Sequence, residues 1–171
     1  MGRGATFYNY VESKPIPNFE GWFARVDGVI SNPYRTEIRG SRNKDGYLKY
    51  DDPGGGQHYL HRLVAKAWVP NRRPDIFKEV DHINGIPSDN RVENLRWANR
   101  TIQALNRKFK GWTYSKRYKK YKAQCTISGV RHVIGWFNSS DEAHAAYVKF
   151  KNKKIQEIYD FYLKDEQNTI S

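Results

Sequence analysis

Asp81-His82-Ile83-Asn84-Gly85, followed by Asp89-Asn90 and then by Asn94-Leu95-Arg96-Trp97, is the stretch on which the fold of this chain turns. Glu79 to Ile83 reads as a brief strand, Asn84-Gly85 as a tight hairpin signal, and the residues up to Asn94 as a polar loop. Leu95, Trp97, Ile102 and Leu105 then suggest a strand end running into a helix. An adjacent carboxylate and imidazole suit phosphodiester hydrolysis, which needs a deprotonated water, neutralised charge at phosphorus and help for the leaving oxygen. Neutral imidazole can take the proton, and a hard cation held by the carboxylate can supply the rest. Neighbours on a strand point to opposite faces, so a productive pair needs local distortion or a hairpin end, and Asn84-Gly85 can provide it. Alone, Asp-His-Ile-Asn-Gly reads equally as an ordinary hairpin.

Upstream, His61-Arg62-Leu63-Val64-Ala65-Lys66-Ala67-Trp68 has apolar residues at helical spacing, bounded by Pro53-Gly54-Gly55-Gly56 and Pro70. Phe19 to Tyr50 alternates short apolar runs with turn signals at Asp27-Gly28, Ser31-Asn32-Pro33, Arg39-Gly40 and Lys44-Asp45-Gly46, which predicts small strands or hairpins. Residues 1 to 18, with Gly2, Gly4, Pro15 and Pro17 and the cations Arg3 and Lys14, read as an arm.

Downstream, Tyr121 to Ile127 alternates, Arg131 to Phe137 follows across Ser128-Gly129, and Ser139-Ser140-Asp141-Glu142 caps a long helix. Ala143, Ala146, Tyr147 and Phe150, extended by Ile155, Ile158 and Phe161, form its apolar stripe. On the strands, Tyr121, Ala123, Cys125 and Ile127 share the face that meets this helix. Lys122, Gln124 and Thr126 point outward, where they can reach base edges.

The 171 residues carry 30 Lys and Arg against 18 Asp and Glu, a net charge of +12, which suits a surface that binds a polyanion. No apolar run approaches the roughly 20 residues that span a bilayer, so nucleic acid is expected rather than membrane. Met1 to Tyr10 has no apolar signal region and the lone Cys125 cannot form an internal disulfide, so the interior of a cell is the expected compartment. With 12 Tyr, 5 Trp and 15 % aromatic residues, the chain has apolar material for real cores.

In letters and spacing, the 81–97 stretch resembles the HNH homing endonucleases encoded in phages and mobile introns. His61-Arg62-Leu63-Val64-Ala65 extends the likeness to about 58–108. The resemblance implies a ββα-metal core in which Asp81 is a metal ligand, His82 the general base and Asn94 the residue that braces the loop. Family members place Asn or His on the helix where this chain has Gln103. Gln103 is favoured here as the helix ligand, with Asn106 one turn later and Asn99 one turn earlier as alternatives. Oxygen ligands imply Mg²⁺ or Mn²⁺ rather than Zn²⁺, and Arg96 could offset transition-state charge or contact DNA. His58 and His61 could instead be a zinc pair, but no Cys or further His completes four positions.

Gly111-Trp112, Lys120-Tyr121-Lys122-Ala123, Ile134-Gly135-Trp136-Phe137 and Asp141-Glu142-Ala143 with Ala145-Ala146-Tyr147 resemble the APETALA-type, or ethylene-response-factor, DNA-binding domain over about 110–155. That likeness implies a three-stranded antiparallel sheet laid in the major groove with a helix behind it. The matched contact positions are Thr113, Ser115, Arg117 or Tyr118, Lys122, Gln124, Thr126, Arg131 and Val133, where family members carry more Arg and Trp. Lys116 to Lys122 supplies phosphate neutralisation.

The expected fold class is α+β, a ββα-metal nuclease core joined to a sheet-plus-helix DNA-binding module. Its parts are an arm (1–18), a strand-rich module (19–56) that could touch DNA through Arg35, Arg39 and Arg42, a catalytic domain (57–109), an APETALA-type domain (110–163) and a tail (164–171). The expected function is site-specific cleavage of double-stranded DNA by a homing-type, phage- or intron-encoded enzyme, acting as a monomer or a homodimer. The alternatives are a DNA-binding regulator without catalysis, in which Gln103 marks a decayed metal site, and an RNA-binding protein whose Tyr and Lys residues serve as stacking platforms.

Overall fold

In the computed structural model, residues 11–34 and 36–168 are described; the start of the expected arm, with Arg3, and Arg35 lie outside them. The chain divides into two compact units, one of residues 1–70 with 82–97 and the other of 71–81 with 98–171. These units follow packing, whereas the five parts expected from sequence follow chain order. All the sheets are small. No helix among the described residues is long and apolar enough to cross a membrane.

In the first unit, β1 (Ser13–Pro15), β2 (Phe23–Arg25), β3 (Ile30–Ser31) and β4 (Glu37–Ile38) form an antiparallel sheet in chain order. Ser13–Pro15 belongs to the stretch read as an arm, and tertiary contacts order it: Lys14 Nζ lies 4.2 Å from the centre of the Trp68 ring. A second sheet is made of β5 (Ser41–Arg42), β6 (Leu48–Asp51) and β7 (Gln57–Tyr59). The helix α1 (Leu60–Trp68) buries Leu60, Leu63, Val64 and Ala65, and Ala24 and Ile30 of the first sheet are buried too. Each large aliphatic side chain so removed from water contributes roughly 1.5–3 kcal/mol. Trp68 Nε1 donates to the Ala24 carbonyl (2.8 Å), tying the end of α1 to β2.

β8 (Glu79–His82) and β9 (Leu95–Ala98) make a two-stranded sheet, and α2 (Arg100–Asn106) follows. Asn99 is the N-cap of α2, its side chain accepting from Ile102 N (3.0 Å), as expected where a polar residue precedes an apolar run.

In the second unit, β10 (Trp112–Ser115), β11 (Lys120–Ile127) and β12 (Val130–Phe137) form an antiparallel sheet, and α3 (Ser140–Asn168) packs on it. Ser139 Oγ accepts from Glu142 N (3.1 Å) while Glu142 Oε2 accepts from Ser139 N (3.3 Å), a reciprocal capping box. Ala123 and Cys125 of the sheet and Ala143, Tyr147 and Ile155 of the helix are buried as the periodicity predicts. Phe161 is not, remaining 63 % exposed. The segment before β8 is anchored on the same helix: Phe77 packs against Tyr159 and Tyr162, and Arg73 Nη1 donates to the Tyr162 carbonyl (2.8 Å).

Candidate active site

His82 ends β8 inside the first unit, and its ring is buried. Its Nε2 lies 3.1 Å from Asn90 Oδ1. One side of the ring faces His61, with centroids 5.0 Å apart, and Tyr47 lies 5.7 Å away. His61 is itself buried among Tyr47 and Tyr59. Loss of water pushes its pKa down to about 3, helped by the charges of His82 and Arg62. His61 is therefore a neutral packing partner at ordinary pH. His61 is packed in the interior rather than turned to solvent.

The loop after His82 is held by its own polar side chains. Gly85 N donates to the His82 carbonyl (2.8 Å), and Gly85 has φ +66°, the left-handed value that an Asn-Gly turn supplies. Asn94 is buried, and its carboxamide closes the loop from both ends. Asn94 Oδ1 accepts from Asn84 N (2.9 Å) and Asn94 Nδ2 donates to the Asp89 carbonyl (2.7 Å). Asn84 Nδ2 donates to Asp89 Oδ2 (2.7 Å), and Arg91 makes a two-pronged contact with the same carboxylate at 2.9 and 2.8 Å. Arg91, then Asn84, hold the Asp89 carboxyl down to about 2. Asp89 is thus a charged structural clamp rather than a proton carrier.

Asp81 and the helix residues belong to the second unit. Asn106 Nδ2 lies 3.2 Å from Asp81 Oδ1, so of the helix candidates it is Asn106 whose side chain meets this carboxylate. Gln103, favoured from sequence, donates its backbone N–H to the Asn99 carbonyl (3.1 Å). Asn99 is committed to capping α2. Arg96, in β9, is half-buried. His58 is taken by Asp52 (2.8 Å), and among the described residues no group of three or more His, Cys, Asp or Glu could hold a metal, so the zinc alternative finds no ligand set there. A carboxylate with one or two amide oxygens fits a hard cation that takes water and phosphate for its remaining positions.

The sheet of the second unit gathers the base-reading candidates. Thr113 pairs with Lys122, Gln124 with Val133 and Thr126 with Arg131, so these six side chains share the face turned away from Ala123 and Cys125; Ser115, opposite Lys120, joins them. Arg117 and Tyr118 lie in the exposed turn beside them, with the guanidinium 5.3 Å from the Tyr118 ring centre. A bulge between Ala123 and Gln124 changes the register, and Lys122 then pairs with Trp136. Trp136 therefore lies on this outer face, 42 % exposed, against Tyr118 (5.1 Å) and under Lys122 Nζ (5.8 Å). Simple alternation along β12 did not single it out.

A family model described as HNH endonuclease matches residues 58–105, which span α1, β8, the clamped loop, β9 and most of α2. Over 87 residues the chain is 40 % identical to an uncharacterized HNH endonuclease, L247, of Acanthamoeba polyphaga mimivirus, a match covering 48 % of this chain and 22 % of the relative. A solved structure, "DNA binding and cleavage by the HNH homing endonuclease I-HmuI", is 28 % identical and covers 56 % of each chain with a TM-score of 0.48. The chain thus spans about a fifth of the viral relative and somewhat more than half of the solved one.

Proposed function

We propose that this chain is a DNA endonuclease in which His82 is the general base and Asp81, with an amide oxygen of α2, holds one divalent cation, Mg²⁺ or Mn²⁺. The observation that carries the reading is the seat of His82 within the HNH-matching segment. It is a buried imidazole, held through Nε2 by an amide oxygen and next in the chain to a carboxylate met by the Asn106 side chain. When bound, such a cation neutralises charge on the scissile phosphate and the leaving oxygen. His82 takes the proton of the attacking water, and the 83–94 clamp keeps the ring from turning away. Asn106, rather than Gln103, is the helix ligand we favour, because its carboxamide already meets Asp81.

The second-unit sheet places the enzyme on duplex DNA in the manner of the APETALA-type domain. The row Thr113, Lys122 and Trp136 with Gln124, Thr126, Arg131 and Val133 faces the bases, and Lys116 to Lys120 faces phosphates. The role assigned to the enzyme in this reading is site-specific and homing-type. One catalytic motif per chain gives one cut strand per active site, so a monomer nicks and a homodimer can break both strands.

Incubation of the purified protein with supercoiled plasmid tests the reading. Conversion to open-circular or linear DNA is expected with Mg²⁺ or Mn²⁺ and not with EDTA. Uncut plasmid under both metals, with duplex binding retained, would replace the nuclease with a DNA-binding regulator. Preference for single-stranded RNA in competition would replace both.

A further inference from the structure

Asn90 is buried with His82, and its side-chain oxygen lies 3.1 Å from the ring Nε2. An amide oxygen can only accept, so the ring nitrogen that meets it must carry the hydrogen. We infer that Asn90 is a positioning residue that fixes His82 as its Nε2–H tautomer, leaving the lone pair of the neutral ring on Nδ1. Asn90 is distinct from Asn94, whose carboxamide is spent on the loop backbone. The inference rests on the nuclease reading for its consequence, but not for the tautomer itself.

The neighbourhood is built to hold Asn90 in place. Gly28, buried at φ +89°, presses on it so closely that a methyl group there would lie 2.5 Å from both the carbonyl carbon and oxygen of Asn90. Val92 N donates to the Val26 carbonyl (3.0 Å), so the β2–β3 turn and the 90–92 segment are stitched together within one unit. The backbone on which Asn90 sits is thus set by a turn far away in sequence. A ring held through one nitrogen presents the other in a defined direction, which is what general-base catalysis by imidazole demands.

Imidazole ¹⁵N and ¹³C shifts of the full chain, recorded at a pH where His82 is neutral and assigned by loss of the signal in His82→Gln, report the tautomer directly. The wild type is expected to show the Nε2–H form. Asn90→Leu, which removes the acceptor at similar volume, is expected to lose that preference and to slow plasmid cleavage about 10- to 100-fold, the usual cost of removing such a partner. Asn90→Asp, which keeps an acceptor, is expected to restore the tautomer and much of the rate. An Nδ1–H tautomer in the wild type, as the reversed amide would give, overturns the inference. So does an unchanged tautomer in folded Asn90→Leu. Absence of cleavage by a wild type that shows the Nε2–H form would remove the nuclease reading and leave Asn90's hold on the ring standing.

Discussion

Gly28 and Asn90 are in such close approach that no side chain fits between them: a methyl group on Gly28 would sit 2.5 Å from the Asn90 carbonyl. Gly28 also takes a φ of +89° that side chains rarely adopt. Gly28→Ala therefore combines backbone strain with a collision against main chain, and each carries a cost of roughly 1–3 kcal/mol. A fall of that order in unfolding free energy, read from the urea midpoint, is expected, together with slower cleavage as the 90–92 segment is displaced.

Asn94 makes a separate prediction, because its side chain bonds to the backbone at Asn84 and Asp89 and to the Asn84 side chain. Asn94→Ala leaves those groups without their partner at a cost of about 1–3 kcal/mol. Cleavage should fall with stability, and amide exchange should quicken at 83–89 while the second-unit sheet is unaffected. Unchanged exchange in the loop would remove Asn94 from its bracing role.

The buried His61 makes stability depend on pH. Its pKa is near 3 when folded and 6.5 when free, so between those values the unfolded chain binds more protons at this position. The stabilisation is complete above about pH 6.5 and declines as pH falls toward 3, at up to about 1.4 kcal/mol per pH unit. His61→Phe, which keeps a ring against Tyr47 and His82, should flatten the dependence measured by denaturation across pH 4 to 7.

Much of the C-terminal architecture is legible in the letters. Alternation from Tyr121 to Ile127, the Ser128-Gly129 turn and the Ser139 to Glu142 cap are local signals, and the strands, turn and capping box appear where they point. The outer position of Trp136 is not local, because it depends on a bulge that shifts the pairing of β11 with β12. Likewise Asp81, His82 and Asn94 stand out by spacing, whereas Asn90 does not; its meaning comes from a ring eight residues away and a glycine from another hairpin. Gln103 stands out by its place in a pattern, whereas the contact of Asn106 with Asp81 depends on where one further turn of α2 brings its amide. Phe161 continues the stripe in sequence, but it is exposed where the helix runs on.

The helix ligand can be assigned by comparison. Asn106→Ala is expected to raise the Mg²⁺ concentration needed for half-maximal cleavage by about 10-fold or more, and Gln103→Ala to change it little. The reverse order would give the role to Gln103.

On the outer face, Lys122 lies between Thr113 and Trp136. Lys122→Ala should weaken duplex binding and, if the ammonium neutralises one phosphate, lower the slope of log affinity against log salt by about 0.9. Trp136→Ala should weaken binding with little change in that slope, since its contribution is apolar.

The most direct measurement is cleavage of supercoiled plasmid by His82→Ala beside the wild type, in Mg²⁺, with duplex binding followed in parallel. The mutant is predicted to bind DNA as the wild type does and to leave the plasmid intact. Cutting by the purified mutant at the wild-type rate would contradict the assignment of His82 as the base.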